Sequence, residues 1–550
     1  MTEHPNVSDV VAEVCAQHTK VLFGLMGNGN AFFTSNLTAR GLPYVSARHE
    51  AGTVAMADAY YRASGKIAVA TVTYGAGFTN ALTALTEAAK ARTPIVVVVG
   101  EAPTSGPRPW DIDQLMVARG LGVRTLTVTT ANAARLTEEA FAAAAGERCP
   151  VILSIPYDLA SETAGPQEPA AQSEPAPRTA PDAAVVERLG ALVNRARRPL
   201  ILAGNGAVIS GAEKAIVELG DKIGALFATS VMARNCLETP WDLGIAGGFA
   251  QDGPLRLMRS ADLVVVVGAS LNAFQTRYGS LFADDAEVIQ VDEMEAATHE
   301  AVTRYVRADA RELVSALSAA VAAVDGGWRT SHPEVVADAL MPDQPADELA
   351  ADGRLNPRVV AQQLDSLLPA ERTIVQDGGH FCGWIPMYCQ APDPQGLMMV
   401  GTAFQSIGLG IPAAVGAAVA RPDRITVLIA GDGGALMALA DLESAVRAIS
   451  SGVMVVFNDA AYGAEIHQYA ARGLDDTAMQ IPEVDFSAIG RAMGAHGVKM
   501  RSLADLQMLK EWLAAGAEGL FVLDVAVTQS EVADYMRESM APILAAMSAG

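Results

Sequence analysis

Two carboxylates that follow neighbouring apolar runs are the residues best suited to chemistry in this sequence. Ile425–Ala430 is followed by Gly-Asp-Gly-Gly, which contains Asp432, and Val453–Phe457 is followed two residues later by Asp459. The helical pattern between the runs predicts a βαβ unit, whose strands end at one edge of a parallel sheet. Carboxylates suit Mg²⁺, and glycines let backbone N–H groups approach phosphate oxygens. The stretch therefore predicts a diphosphate held through a metal, although Gly-Asp-Gly alone also occurs in ordinary turns.

The composition is that of a large acidic globular protein. The chain has 550 residues, of which 51% are hydrophobic and 18% charged, and its net charge is −23. This negative charge argues against binding of nucleic acid or of an anionic membrane surface. Five cysteines without CxxC spacing indicate neither a zinc site nor a disulfide framework. We see no export signal and no apolar run of membrane-spanning length, so we expect a cytoplasmic protein.

The elements that would position these carboxylates alternate between strand and helix. In the first 160 residues, apolar strand patterns at Val21–Gly24, Ile67–Val72 and Pro94–Val99 alternate with helical patterns near Ala51–Arg62 and Ala81–Ala91. Such alternation is typical of a doubly wound α/β domain.

Two further α/β segments follow, and stretches of different composition separate the three. A Pro-, Ala- and Glu-rich stretch at 161–183 is interpreted as a linker, and a polar stretch at 331–356 closes the second segment. We therefore predict an α/β protein with three doubly wound parallel-sheet domains. The predicted bounds are 1–163, 184–330 and 356–550.

Four motifs stand in a fixed order along the chain: Arg48-His49-Glu50-Ala51, Gly75–Asn80, Gln405–Ala414, and Gly431-Asp432-Gly433 with Asn458-Asp459. Through these motifs the sequence resembles thiamine diphosphate (ThDP)-dependent enzymes of the acetolactate synthase, pyruvate decarboxylase and benzoylformate decarboxylase superfamily. The resemblance covers nearly the whole chain and implies a pyrimidine-binding, a central and a diphosphate-binding domain. The motifs are specific for the superfamily and not for an individual reaction.

The resemblance assigns three residues to the aminopyrimidine half of the cofactor. Glu50 would hydrogen-bond N1′, which requires a carboxyl group of raised pKa in apolar surroundings. Without its motif, Glu50 would be interpreted as a solvated acid at a helix start. Ile407 would hold the two cofactor rings in a V shape from beneath. Gln405, where relatives usually have glycine, would offer its backbone carbonyl to the 4′-amino group.

The resemblance also assigns residues to the metal ion and to the diphosphate. Asp432 and Asp459 match the metal-binding side chains, and Ala461 would add its backbone carbonyl. Relatives usually have asparagine at position 459, so the additional charge of Asp459 should tighten metal binding and repel the diphosphate slightly. The other expected cofactor contacts are Gly379, His380, Gly433, Gly434, Tyr462 and Gly463.

Five further side chains are placed near the substrate by the resemblance: Asn28, Tyr74, Gln114, Glu465 and His467. Gln114 lies near the active-site glutamine of acetolactate synthases, and Glu465 matches a catalytic glutamate of pyruvate decarboxylases. Positions 465 and 467 point to different faces of a helix, so we expect them not to serve the same atom. His467 is also explained as a surface residue of that helix.

The implied reaction is ThDP- and Mg²⁺-dependent decarboxylation of a 2-oxo acid, followed by ligation to a second carbonyl as in acetolactate synthase. Simple benzoylformate-type decarboxylation, a 2-hydroxyacyl-CoA lyase or oxalyl-CoA decarboxylase activity, and an inactive ThDP-binding regulatory subunit remain alternatives. FAD is not expected, because Gly268–Asn272 lacks the arginine that flavin-binding relatives often have there.

The resemblance also implies more than one subunit. Glu50 and Asp432 lie in different domains, and in this superfamily the cofactor spans two subunits. A homodimer or homotetramer with its site at the subunit interface is therefore expected.

Overall fold

A computed structural model of the chain describes residues 5–169, 178–337, 340 and 346–537. These residues form three α/β units, each built on a six-stranded sheet in which all the strands are parallel. The predicted fold class is therefore confirmed, whereas the domain limits given above stay predictions. In the part of the chain that is described, no helix combines the length and the apolar character needed to cross a membrane.

The first sheet has the strand order β2-β1-β3-β4-β6-β5. Its central strands are runs of Val and Ile because helices cover both faces of a parallel sheet. The strands are β1 (Leu22–Gly24), β2 (Tyr44–Ser46), β3 (Val69–Val72), β4 (Ile95–Glu101), β5 (Arg124–Thr127) and β6 (Pro150–Pro156). The helices are α1 (Val7–His18), α2 (Ala31–Ala39), α3 (Glu50–Ser64), α4 (Ala76–Asn80), α5 (Leu82–Lys90), α6 (Gln114–Gly120) and α7 (Ala133–Glu147).

The second sheet has the order β12-β11-β10-β7-β8-β9. Its strands are β7 (Pro199–Ala203), β8 (Leu226–Thr229), β9 (Asp242–Ile245), β10 (Leu263–Val267), β11 (Glu287–Asp292) and β12 (Arg304–Arg307). Its helices are α8 (Ala183–Val193), α9 (Asn205–Ser210), α10 (Glu213–Ile223), α11 (Asp252–Arg259), α12 (Ala310–Ala320) and α13 (Pro333–Val336). Part of the predicted linker, 170–177, lies outside the described residues.

The third sheet has the order β14-β13-β15-β16-β18-β17. Its strands are β13 (Arg372–Gln376), β14 (Leu397–Met399), β15 (Ile425–Gly431), β16 (Ser451–Asn458), β17 (His496–Met500) and β18 (Gly519–Ala526). Its helices are α14 (Pro357–Leu367), α15 (Trp384–Tyr388), α16 (Gly410–Ala420), α17 (Asp432–Met437), α18 (Leu442–Ala448), α19 (Gly463–Tyr469), α20 (Phe486–Ala492) and α21 (Leu506–Ala514).

The predicted βαβ unit is present, with one correction. β15 and β16 are parallel neighbours, with Ala430 opposite Val456. Two short helices, α17 and α18, join them where a single helix was predicted. The helical pattern is interrupted at Leu439–Asp441 by a 3₁₀ turn, and Asp441 has a separate role in contacting the first domain.

Helices α3 and α16 pack the first domain directly against the third. A Cβ atom at Gly416 would lie only 2.0 Å from the carbonyl oxygen of Met56, so the two backbones approach as closely as glycine allows. A buried polar contact extends this interface, because the Arg62 guanidinium donates to the Met399 carbonyl at 2.9 Å. The Glu87 carboxylate also accepts from the Phe404 N–H at 2.8 Å. The first domain therefore fixes the third-domain loop that bears Gln405 and Ile407.

Candidate active site

Asp432 and Asp459 come together because β15 and β16 end side by side. Both side chains are buried, and in the described part of the chain the Oδ2 atom of each has no hydrogen-bond partner. Burial raises the pKa of both carboxyl groups, and the neighbouring Asp432 raises the pKa of Asp459 further. Two adjacent buried carboxylates destabilise the fold when both are charged and no cation is present. A cation bound between them would remove that cost.

These oxygens fit the family's Mg²⁺ site. The described residues contain no group of three or more His, Cys, Asp or Glu side chains that could hold a metal. A metal at Asp432 and Asp459 would take its other ligands from backbone, water or phosphate oxygens, as Mg²⁺ commonly does. The loop after β16 supplies backbone close by, since Ala460 adopts φ of 58° and turns the chain towards Ala461.

His380 stands beside this pair, on the loop that follows β13. Its Nε2 atom lies 3.4 Å from Asp459 Oδ2, and its ring packs against His467 with centroids 5.1 Å apart. Burial, together with the neighbouring His467, lowers the pKa of His380 to about 3, so the imidazole is neutral at physiological pH. A Cβ atom at Gly463 would lie 2.4 Å from the His380 ring, so only glycine at position 463 leaves room for the ring.

The predicted role of His467 near the substrate stays a prediction, whereas its interpretation as a surface residue is wrong. It is buried, so it is not the surface helix residue of the simpler interpretation, and burial lowers its pKa. It packs behind His380, while Glu465 on the same helix faces the cavity described next. The predicted difference in direction between positions 465 and 467 is therefore confirmed.

A cavity of about 1480 Å³ lies between the domains and gathers the predicted third-domain residues. Its wall includes Gly379, His380, Gln405, Ile407, Asp432, Gly433, Gly434, Asp459, Ala461, Tyr462, Gly463 and Glu465. The cavity continues to the strand ends of the second domain, where Lys90, Arg92 and Arg148 of the first domain also line it. This basic wall was not predicted, because its residues are separated in sequence and meet only in the folded chain.

Gln405 adopts a backbone conformation that glycine favours. Its φ is 61°, in the left-handed region, where an L residue costs about 1–2 kcal/mol. Its side-chain amide donates to the Thr402 carbonyl at 2.9 Å, which holds the side chain along the loop. The strained position is the one at which glycine was expected from the resemblance, and Ile407, two residues further on, lines the same cavity.

Glu50 lies at the first turn of α3, where the sequence placed it. The His49 side chain caps the helix, accepting from the Ala51 N–H at 3.3 Å. Asn80, which the motif Gly75–Asn80 contains but to which no role was assigned, donates to the Glu50 carboxylate at 2.9 Å. Glu50 remains partly exposed and, among the described residues, is not on the wall of the cavity that holds Asp432. A single chain therefore does not supply the apolar surroundings that we predicted for this carboxylate.

The other first-domain residues form one connected surface. Asn28 Nδ2 donates to the Tyr74 hydroxyl at 2.9 Å, and the Arg108 guanidinium stacks 4.1 Å from the Tyr74 ring centroid. Buried Gln114 accepts from the Gly75 N–H at 2.7 Å and donates to the backbone of β4. Gln114 thus shapes the loop instead of presenting a free amide. No pattern in the sequence indicated Arg108.

These features are those of a ThDP-dependent enzyme: three α/β domains in this order, a buried carboxylate pair in the third, and Glu50 at the start of α3 in the first. Three family models match the chain in the same order: the N-terminal TPP binding domain of thiamine pyrophosphate enzymes at residues 5–117, their central domain at 186–317 and their C-terminal TPP binding domain at 377–525. The chain belongs to the ThDP-dependent enzyme family, and the predicted superfamily is confirmed.

Similar proteins within the family carry out different reactions. The chain is 30% identical to the acetolactate synthase-type large subunit IlvB2 of Mycobacterium tuberculosis, over 88% of this chain and 91% of that protein. It is 27% identical to sulfoacetaldehyde acetyltransferase of Rhodobacter capsulatus, over 94% of this chain and 93% of that protein. The benzoylformate decarboxylase structure from Polynucleobacter necessarius has the same fold, with a TM-score of 0.82 and 20% identity. The match covers 96% of this chain and 99% of that one.

Proposed function

We propose that this protein is a ThDP- and Mg²⁺-dependent enzyme that decarboxylates a 2-oxo acid and ligates the product to a second carbonyl, as acetolactate synthase does. The observation that carries the proposal is the buried carboxylate pair of Asp432 and Asp459, whose Oδ2 atoms accept no hydrogen bond from the described residues, in a cavity also lined by Ile407. Relatives of acetolactate synthase type support the same class, one 30% identical over 88% of this chain and another 25% identical over 96% of it.

The residues of this chain have distinct tasks in that reaction. Bound ThDP supplies a nucleophilic carbon and an electron sink for carbanion chemistry. Asp432 and Asp459 would hold the metal that neutralises the diphosphate, and Ile407 would support the rings. Glu50 would hold a proton at N1′ of the aminopyrimidine, with its carboxylate oriented by Asn80. Glu465, which faces the cavity, would exchange a proton with the reacting carbon or oxygen.

We propose further that each site needs two chains, as a homodimer or homotetramer. Within one chain Glu50 is partly exposed and away from the cavity wall on which Asp432 lies. Large apolar side chains are also exposed in the segments that carry both halves of the site, with Trp110 and Met116 in the first domain and Phe404 and Met437 in the third. Exposed apolar surface of this kind is typical of a subunit interface.

Mixing two inactive variants tests the shared site. We expect Glu50→Gln and Asp432→Asn chains to be inactive alone, because each lacks one half of every site. Dissociated and reassembled together in equal amounts, they should recover about one quarter of wild-type activity, since half of randomly paired dimers carry one intact site. No recovery after verified mixing would contradict a site shared between chains.

A panel of 2-oxo acids tests the reaction itself. Protein loaded with ThDP and Mg²⁺ is assayed for CO₂ with pyruvate, benzoylformate and branched 2-oxo acids, and the products are analysed with and without an added acceptor aldehyde or 2-oxo acid. Release of CO₂ with formation of a 2-hydroxyketone or acetohydroxy acid is the expected result. An aldehyde alone would favour the simple decarboxylase, and no CO₂ from any substrate would favour the inactive regulatory subunit.

A second candidate is the CoA-thioester lyase or decarboxylase. The specific observation in its favour is the group of basic side chains on the cavity wall, where burial and the neighbouring Arg92 lower the pKa of Arg148. Glu293 and Asp292 line the same wall and act in the opposite direction on that pKa. Two close, partly buried cations are stabilised by an anionic ligand such as the phosphates of a nucleotide. Cleavage of a 2-hydroxyacyl-CoA, or decarboxylation of oxalyl-CoA, would select this candidate. A visible spectrum of the purified protein would test for flavin in the same part of the cavity.

A further inference from the structure

Tyr535, near the end of the described chain, contacts the loop that carries His380. Its hydroxyl group donates to the His380 carbonyl at 2.7 Å and lies 3.2 Å from Cys382 Sγ. The side chain is buried, and burial raises its pKa well above the ordinary tyrosine value, so the hydroxyl stays protonated and able to donate. A Cβ atom at Gly383 would lie 2.6 Å from the Tyr535 ring, so the loop follows the ring closely.

The loop depends on such an external contact because its backbone is unusual. Gly379 has a φ of 139°, a region that is essentially open to glycine alone. In the described residues, the loop forms only a short 3₁₀ turn from His380 to Gly383. The imidazole side of His380 meets Asp459 and Gly463, while its carbonyl side meets Tyr535. Tyr535 therefore limits how far the His380 ring can move from the carboxylate pair.

Tyr535 also connects this loop to the second domain. Its ring forms edge-to-face contacts with Phe249 and Phe274, with centroid distances of 5.3 and 5.8 Å, and those two rings contact each other at 4.6 Å. Buried aromatic pairs of this geometry resist sliding because the edge of one ring faces the other. All three rings line the cavity described above. The C-terminal segment, the second domain and the His380 loop thus meet at one side chain.

We propose that Tyr535 is a positioning residue that holds His380 against the metal and diphosphate half of the site. The proposal rests on the ThDP-binding function proposed above, because His380 is useful there only as a contact of the bound cofactor and metal. Tyr535 contacts this loop through its hydroxyl group, at the carbonyl groups of Gly379 and His380 and at Cys382 Sγ. It acts through the backbone carbonyl of His380 and ties the conformation of that loop to the aromatic contact with the second domain.

The test uses Tyr535→Phe, which keeps the ring and removes only the hydroxyl group. The matched control is Tyr305→Phe, which removes a hydroxyl that donates to the Met294 carbonyl at 2.5 Å, away from the loop. The dissociation constant of ThDP is measured for the full chain in the presence of Mg²⁺. We expect a three- to ten-fold increase for Tyr535→Phe, about the effect of one lost hydrogen bond, and none for Tyr305→Phe.

Two further measurements separate positioning from a general loss of structure. In a His380→Ala background, Tyr535→Phe should weaken ThDP binding no further, because the two substitutions act on one contact. Hydrogen exchange of the cofactor-free protein should accelerate at 379–383 in Tyr535→Phe and not in the control. Unchanged ThDP affinity, or an equal weakening with and without His380, would overturn the proposal. Failure of the wild-type chain to bind ThDP would instead overturn the proposed function, and this inference with it.

Discussion

The carboxylate of Asp441, in the third domain, accepts a hydrogen bond of 2.6 Å from the backbone N–H of Arg48 in the first. Asp441 is buried, and Ser444 donates to the same oxygen at 3.0 Å. Arg48 lies two residues before Glu50, so this bond fixes the entry of the chain into α3. Each chain thus uses its own third domain to orient the Glu50 that, in our proposal, serves the site of its partner.

Gly52→Ala tests how tightly this contact is built. A Cβ atom at Gly52 would lie 2.2 Å from Asp441 Oδ2, so alanine must displace the carboxylate or the helix. We expect the free energy of unfolding to fall by about 1–3 kcal/mol, the usual cost of overpacking, as measured by urea denaturation. Gly146→Ala is the matched control, because a Cβ atom there meets nothing within 4 Å and alanine favours a helix. Equal stability of the two variants would contradict the tight contact.

Glu50→Gln tests the proton-holding role of the first motif. The amide keeps the shape of the side chain but cannot exchange a proton with N1′, so we expect turnover to fall about 10²- to 10⁴-fold. ThDP affinity should change little, because most of the proposed cofactor contacts lie on the third domain. Turnover and ThDP affinity are measured in parallel, with Glu218→Gln on the exposed face of α10 as the control. Near-normal turnover in Glu50→Gln would refute the assignment.

Asp459→Asn should change the pH dependence of stability in the metal-free protein. Burial and the charge of Asp432 raise the pKa of Asp459 in the folded chain, whereas the pKa of an aspartate in an unfolded chain is about 4. The folded wild-type chain therefore holds a proton that the unfolded chain releases, so the contribution of this one carboxyl group to stability is greatest below about pH 4 and is lost as the pH rises through the raised pKa. Asparagine does not titrate, so the variant should unfold at a higher temperature than wild type at pH 7–8 and lose that advantage near pH 4.

Bound Mg²⁺ should reverse the order of the unfolding temperatures of wild type and Asp459→Asn. With Mg²⁺ and ThDP added, the second carboxylate gains a cation partner, so the unfolding temperature of the wild-type chain should rise more than that of Asp459→Asn. Asp262→Asn offers a control, since this carboxylate accepts from the Arg198 N–H at 2.8 Å in the second domain, away from the metal pair. Parallel pH curves for wild type and Asp459→Asn would show that Asp459 is already ionised in the folded chain.

Local sequence patterns predicted the features that depend on short segments. β15 begins at the predicted Ile425, and β15 and β16 pair as predicted, because buried parallel strands are continuous apolar runs. The motifs also placed Asp432 and Asp459 together, since the strand ends of a βαβ unit meet at one edge. The prediction of a single helix between them was wrong. The chain forms a 3₁₀ turn at Leu439–Asp441, and there Asp441 accepts a hydrogen bond from the Arg48 N–H.

The missed residues owe their positions to contacts between distant segments. Tyr535 meets His380 from 155 residues away, and no local pattern at either position indicates the other. Arg108 gains its place by stacking between Tyr74 and Tyr157, with 4.1 and 4.5 Å to the ring centroids. Periodicity and turn chemistry report on neighbours within a few residues, so pairings of this kind become visible only in the folded chain.

Gln405→Gly tests whether the departure from glycine carries a cost in this fold. The φ of 61° is strained for glutamine and free for glycine, while glycine loses more backbone entropy on folding. We expect the strain to outweigh the entropy, so that Gln405→Gly raises the free energy of unfolding by up to about 1 kcal/mol. Gln405→Ala keeps the strain and loses the hydrogen bond to the Thr402 carbonyl, so it should be less stable than wild type. Urea denaturation of the three proteins gives the order, and a Gly variant less stable than the Ala variant would contradict it.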